Sequence, residues 1–377
     1  METDDSTNRV KVGLETLPTD LPDVLKGAKI GLLAHAASRL PTGEHALSVL
    51  QDLSLNVVRL FGPEHGFFGA AGAGEKVADA VHDGVPLVSL YGVRQAPELE
   101  HLRDLDALVF DVQDVGVRAY TYLSTLKACL TRCAEVGVPL VLLDRPNPLG
   151  RAVYGAGVTG GFESFVSAHD VPFVHGLTLG ELATRIARAL ALSAEVLNVV
   201  RMKNYDGSSW AETGLPWRAP SPNLPHFRSA QLYPLTVFLE GTPLSEGRGT
   251  ERPFEQLGAP WLNGGSLSEV LNELPGLHAE PVRFTPASSK HAGTEVSGVK
   301  LSRTGPFDPL RGALILLSEV RRQNPEFSWL GEKRPFIDLL AGSDVLRRTV
   351  DGDLSGADFK TWLEARGSDP PPARLYF

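Results

Sequence analysis

The sequence of 377 residues predicts an α/β fold, with a parallel sheet covered on both faces followed by a smaller mixed α/β part. Three features predict it. Apolar runs of strand length recur through the first half and are continuous rather than alternating, as expected of strands buried on both faces. Segments with helix punctuation separate them, the pattern of successive strand–helix–strand units. From Trp210 the texture changes, because prolines crowd the chain and the alternation stops.

Lys29 to Ala36 (KIGLLAHA) reads as the first buried strand and Glu44 to Leu53 as a helix. Asn56 to Phe61 and Pro86 to Tyr91 are strand-like, and Ala107 to Val112 and Pro139 to Leu143 are continuous apolar strands. Between the last two lies a helix, Thr121 to Val136, preceded by Gly116 and stopped by Gly137. Thr178 to Leu192 opens with Thr178-Leu-Gly-Glu181, a capping-box pattern, and leads to a strand-like run, Glu195 to Met202. Pro216, Pro220, Pro222, Pro225 and Pro234 then exclude regular helix or central strand. The expected organisation is a tail over 1–25, a main domain over 26–225 and a smaller domain over 226–377. The last contains helices near Leu267 to Leu274, Pro309 to Arg322 and Asp344 to Val350, and a strand at Gly298 to Ser302.

Hydrophobic residues at 42% and charged residues at 21% exclude disordered, collagen-like and coiled-coil classes. Lys and Arg number 36 against 45 Asp and Glu, a net charge of −9, which argues against a nucleic-acid partner. Cys129 and Cys133, four apart on a helix, suit neither a disulfide nor a zinc site and read as buried thiols. Met1 to Leu21 lacks the apolar stretch of a signal peptide, and no run approaches a membrane span, so a cytoplasmic protein is expected.

In a parallel α/β sheet, function gathers in the loops after the strands. Here the strand at Asn56 runs into Gly62-Pro-Glu-His-Gly66, that at Ala107 into Asp111-Val-Gln-Asp114, and that at Pro139 into Asp144-Arg-Pro-Asn-Pro148. Glu64, Asp111, Asp114 and Asp144 are thus expected to converge on one rim, where like charges destabilise one another unless paired or protonated. Plainer roles exist for the aspartates: Asp114 can cap a helix, and Asp144 can pair with Arg145 or order its turn. Glu64 suits neither a cap nor an ordinary surface position.

Gly155-Ala-Gly157-Val-Thr-Gly160 fits a dinucleotide fingerprint in letters only, since no strand precedes it and no helix follows. Gly69 to Lys76 resembles a phosphate loop, but Glu75 takes the lysine position and would repel phosphate. Neither is read as a nucleotide site. In the second part, Glu240 to Thr250 forms a glycine-rich loop containing Glu246 and Arg248, able to approach a ligand with its backbone. Pro220-Ser-Pro-Asn223 ends a rigid turn in an amide suited to a hydroxyl or acetamido group.

These blocks together resemble one bacterial family. They are Phe61-Gly-Pro-Glu-His-Gly66, Ser89-Leu-Tyr-Gly92, Phe110 to Arg118 with Tyr120-Thr-Tyr122, Asp144 to Pro148, His175-Gly-Leu-Thr178 with Gly180-Glu-Leu182, Pro220 to Asn223, and Glu240-Gly-Thr242 with Ser245 to Thr250. In order, from about Lys29 to Phe377, they resemble the NamZ-type exo-β-N-acetylmuramidases, formerly a family of unknown function. The resemblance implies a Rossmann-like first domain, a smaller second domain, no nucleotide or other cofactor, and release of N-acetylmuramic acid from the non-reducing end of peptidoglycan-derived disaccharides or muropeptides. Members of that family are often exported, and a cytoplasmic member would suit salvage of imported fragments.

Glycoside hydrolysis needs one protonated carboxyl and a second carboxylate. Glu64, shielded by Phe61, Phe67 and Phe68, is the expected acid, and Asp111 or Asp114 the partner or sugar-orienting carboxylate. Glu246 competes for that post if the cleft lies between domains. His65 would tune Glu64 or bind a hydroxyl, and Tyr120 and Tyr122 would stack on the sugar, one of them equally suited to the core. Asp144, Asn147 and Asn223 would bind polar groups. The lactyl carboxylate of the sugar calls for an arginine, with Arg118, Arg145 and Arg248 as candidates. Two alternatives remain: a metal-dependent hydrolase built on Asp111, Asp114 and Asp144, or a non-catalytic muropeptide-binding protein.

Overall fold

A computed structural model of the chain describes residues 9–69, 77–365 and 374–376. The glycine-rich stretch over 70–76 and the first eight residues lie outside the described residues. A one-turn helix α1 (Gly13–Thr16) precedes a doubly wound unit made of β1 (Lys29–Ala34), α2 (Ala46–Asp52), β2 (Asn56–Gly62), β3 (Ala80–His82), β4 (Val85–Ser89), β5 (Ala107–Asp111), α3 (Tyr122–Val136), β6 (Leu140–Leu143), α4 (Leu179–Ala189) and β7 (Leu197–Val200). The strand order is β3-β4-β2-β1-β5-β6-β7, parallel except for the short edge strand β3. The order reverses between β1 and β5, the place where open α/β sheets leave a crevice at their strand ends.

The apolar runs are continuous because both faces are covered. Leu108 and Phe110 of β5 pack with α3 and α4, whereas Ala107 and Val109 pack on the opposite face with Leu47 and Leu50 of α2. Helix α3 ends at Gly137, whose φ of 73° is the left-handed stop expected of a terminal glycine. The capping box at α4 forms as its letters imply, with the Thr178 side chain accepting from the Glu181 N–H and Glu181 returning to Thr178. The run Glu195 to Met202 is strand only over Leu197–Val200, after a 3-10 turn at Ala194–Val196.

Beyond the proline cluster the chain adds α5 (Phe227–Thr236), β8 (Gln256–Ala259), α6 (Gly264–Leu271), β9 (Leu277–Phe284), β10 (Val296–Arg303), α7 (Pro309–Gln323), α8 (Phe336–Ala341), α9 (Val345–Val350) and α10 (Gly356–Glu364). The proline-rich stretch does contain helix, contrary to expectation, for Pro234 sits inside α5. It lies in the last turn, after which the chain tightens into a 3-10 turn, Val237–Gly241. The three strands form an antiparallel sheet, β8-β10-β9. Strand β9 carries Pro281 and solvent-facing His278 and Glu280, tolerable because it is an edge, and those residues hid it in the sequence.

The core on the α3–α4 face continues without interruption into Leu257, Leu317 and Trp362 of the second part. Arg118 fastens the same junction. Fully buried, it donates to the carbonyls of Ala156 (2.8 Å), Val171 (2.7 Å) and, from α8, Ala341. No helix among the described residues is long and apolar enough to cross a membrane.

Candidate active site

The site begins with the turn that ends β2. Gly62, Pro63, Glu64, His65 and Gly66 reverse the chain, with the Gly66 N–H bonded to the Pro63 carbonyl at 2.9 Å. The turn is tight: a Cβ at Gly62 would lie 2.7 Å from the Phe67 nitrogen, and His65 takes a φ of +70° that side chains rarely adopt. A strained residue beside an acid at a strand end is where function tends to sit. Glu64 is 9% exposed, and its Oε2 accepts a hydrogen bond from the Thr121 hydroxyl at 2.7 Å.

A buried network holds this turn against its neighbours. The Tyr122 hydroxyl donates to the carbonyls of Pro220 (3.0 Å) and Glu64 (3.3 Å) and contacts His35 Nδ1 at 3.1 Å. His35 Nε2 accepts from the Gln113 N–H at 2.9 Å, which places the imidazole proton on Nδ1. Burial lowers the His35 pKa far below the usual histidine range, so the ring stays neutral. Loops after β1, β2 and β5 and the Pro220 turn are thereby tied to one phenol.

Glu64 and His65 open into a cavity of about 480 Å³, within the size range of small-molecule sites. Tyr91, Tyr120, Thr121 and Phe165 of the first part line it, as do Ser221 and Asn223 of the proline-rich turn. The second part contributes Tyr233, Phe254 and Phe336 as rings, and a charged group made of Glu240, Glu246, Arg248 and Lys290. Arg248 lies between two carboxylates, 2.7 Å from Glu246 and 2.7 Å from Glu240, with its guanidinium 5.0 Å above the Phe254 ring. Lys290 bonds the other Glu246 oxygen at 2.9 Å. Burial alone would raise the Glu246 pKa, but Lys290 and Arg248 outweigh it and hold the acid below the usual carboxylate range. Glu240 moves the other way, pushed up by burial that Arg248 only partly opposes.

Of the side chains expected at the site, the cavity therefore brings together Glu64, His65, Tyr120, Asn223, Glu246 and Arg248. The others do not line it. Asp111 is fully buried in a bidentate pair with Arg145, one contact at 2.8 Å, so neither is presented to a ligand there. Breaking that pair would leave an uncompensated buried charge. Asp144 accepts from Thr178 Oγ1 (2.7 Å), the Gly180 N–H (2.9 Å) and the Tyr376 hydroxyl (2.8 Å); it secures a helix start and the C-terminal tail. Asp114 closes its own turn on the Gly116 N–H at 2.7 Å and stands 3.6 Å from His175. Asn147 is spent on the Leu177 carbonyl (3.0 Å) and the Leu149 N–H (2.9 Å). Arg118 and Tyr122 serve the packing roles described above.

The phenylalanine shield is also corrected. Phe61 and Phe67 belong to the core and Phe68 packs on His82, while Tyr120, Phe165 and Phe254 form the cavity wall. Asp111, Asp114 and Asp144 do not gather, and among the described residues no three His, Cys, Asp or Glu side chains are placed to share a metal ion. The sequence reading missed Thr121, Glu240 and Lys290. Glu240 heads its own recognisable block, but Lys290 follows an unremarkable serine pair and carries no local signal.

A doubly wound α/β unit with acids and aromatic rings around one cavity at its strand ends, closed by a second unit, is the equipment of a glycosidase. Residues 30–228 match the family described as exo-β-N-acetylmuramidase NamZ, N-terminal, and residues 231–367 match its C-terminal counterpart. The chain belongs to the NamZ family. It is 38% identical over 357 residues to the peptidoglycan β-N-acetylmuramidase NamZ of Bacillus subtilis (strain 168), covering 92% of this chain and 86% of that protein. Crystal structures of two DUF1343 family proteins from Bacteroides fragilis share the fold. One has a TM-score of 0.85 at 30% identity, with 94% of each chain covered. The other has a TM-score of 0.71 at 29% identity over the same shares.

Proposed function

We propose that this protein is an exo-acting glycosidase that removes terminal N-acetylmuramic acid from the non-reducing end of peptidoglycan fragments. Family membership supports the reaction class, and the curated Bacillus relative bears that activity in its name. The observation that carries the residue assignment is the meeting of Glu64 with Glu240 and Glu246 around one ring-lined cavity. Glu64 acts as the general acid, giving its proton to the leaving glycosidic oxygen, with Thr121 fixing the orientation of its carboxyl. Asp111 and Asp114 give up the partner role to Glu246, which Lys290 and Arg248 keep ionised and fixed. Its charge stabilises the oxocarbenium-like transition state. Arg248 receives the lactyl carboxylate, Asn223 meets a polar substituent, and Tyr120 or Tyr233 offers a ring to the sugar face.

Incubation with a disaccharide bearing N-acetylmuramic acid at its non-reducing end tests this directly. Mass spectrometry should show the free acid sugar and its former partner, and no cleavage of a disaccharide ending in N-acetylglucosamine. Equal cleavage of both, or of neither, would contradict the reading.

A further inference from the structure

An acidic sugar entering this cavity meets an arginine that is already taken twice. Arg248 gives Nη1 to Glu246 and Nη2 to Glu240, both at 2.7 Å. Lys290 is equally committed, to Glu246 at 2.9 Å and to the carbonyls of Leu239 (2.7 Å) and Leu244 (3.1 Å). The group Glu240–Arg248–Glu246–Lys290 therefore balances two carboxylates against two cations before any ligand arrives. Among the described residues, the other ionisable groups lining this cavity are the Tyr91 and Tyr120 phenols, the Tyr233 phenol of α5, kept neutral by burial, the His65 imidazole and the Glu64 carboxyl.

The two glutamates are not equivalent. Glu246 is 1% exposed and engaged through both oxygens, whereas the Glu240 side chain is 20% exposed and bonded to Arg248 through one oxygen. Glu240 is the replaceable partner. Three carboxylates sharing one arginine and one lysine in a largely buried space cannot all remain ionised. We infer that Glu240 is a specificity-determining residue that yields Arg248 to the carboxylate of the substrate and takes up a proton as it does so. The inference rests on the muramic-acid reading above and extends it to a residue with no role there beyond lining the cavity.

The exchange balances. One N–H···O contact to Glu240 breaks, one to the substrate carboxylate forms, and a proton from solvent binds the Glu240 carboxyl. Burial already raises the Glu240 pKa, so this acid and not Glu246 takes the proton. The sign follows from linkage: binding that needs an added proton weakens as pH rises, up to about tenfold per pH unit. A neutral sugar brings no third carboxylate and evokes no uptake.

The test follows KM for the N-acetylmuramic acid disaccharide between about pH 6 and pH 8, in the full-length protein and in Glu240→Gln, whose carboxamide resembles the protonated acid. Wild-type KM should rise with pH more steeply than that of Glu240→Gln, by up to about tenfold per pH unit across the window. Calorimetry with free N-acetylmuramic acid, in two buffers of different ionisation heat, should find up to about one proton taken up by the wild type and none by the variant. A merely structural Glu240 would shift KM equally at every pH. Parallel KM profiles, or proton uptake that persists in Glu240→Gln, would overturn the inference. Failure to release N-acetylmuramic acid at all would instead overturn the functional reading beneath it.

Discussion

The turn that carries Glu64 is built from residues close to it in the chain. The strand, the paired glycines and the strained His65 lie within a few residues, and their letters already describe a turn that aims an acid outward. Asp111 and Asp144 look the same in sequence, yet their partners come from far along the chain. Arg145 is 34 residues from Asp111, and Tyr376 is 232 from Asp144. No reading of local pattern distinguishes an acid awaiting substrate from one matched by a distant side chain. Thr121 shows the same effect from the other side, since its bond to Glu64 spans 57 positions. Replacing it with valine keeps the shape and removes the hydroxyl, so kcat should fall by about 10- to 100-fold with a folded protein, in line with a hydrogen bond to a charged group worth roughly 1.5–3 kcal/mol. Steady-state kinetics beside a thermal melt would check this, and an unchanged kcat would count against Thr121 as the orienting partner.

At the scale of elements, the central strands β1, β5 and β6 match their apolar runs to within two residues because burial on both faces makes them continuous, whereas the short edge strand β3 leaves no such run and β7 is shorter than its run. Strand β9 and helix α8 are not legible in the sequence, since an edge strand with a proline and a six-residue helix leave little periodicity to detect. The docking of α4 and the C-terminal tail onto β6 rests on Asp144, whose pKa burial raises to about 6 despite hydrogen bonds from Thr178, Gly180, Tyr376 and the Arg145 N–H. Its unfolded value is near 3.9, so the folded protein binds this proton more tightly. The resulting stability is fully present below about pH 4 and is lost as pH rises through about 6. Asp144→Asn removes the titration. The melting-temperature advantage of wild type over Asp144→Asn should therefore be larger near pH 4.5 than near pH 7.5, and an advantage that grew with pH would contradict this account of the joint.

At the scale of the whole molecule, the site exists only because two parts of the chain close on each other. The turn after β2 supplies Glu64, the segment after α5 supplies Glu240, Glu246 and Arg248, and the connection between β9 and β10 supplies Lys290. Arg118 stands at the junction. The sequence offered it as a carboxylate binder, but the structure surrounds it with carbonyls from both parts, and burial lowers its pKa to about 9. A charge shielded in that way holds the junction and not a ligand. Two-part closure brings Glu246, 182 positions along the chain from Glu64, to the same cavity, the circumstance under which the sequence offers it in place of Asp111 or Asp114. The most direct measurement is turnover of the N-acetylmuramic acid disaccharide, whose sugar leaving group needs protonation, by Glu64→Gln, compared with wild type at matched thermal stability. An acid catalyst predicts a loss of about 100-fold or more in kcat, smaller for substrates with better leaving groups, which need less protonation. Turnover close to wild type in a folded Glu64→Gln protein would contradict it.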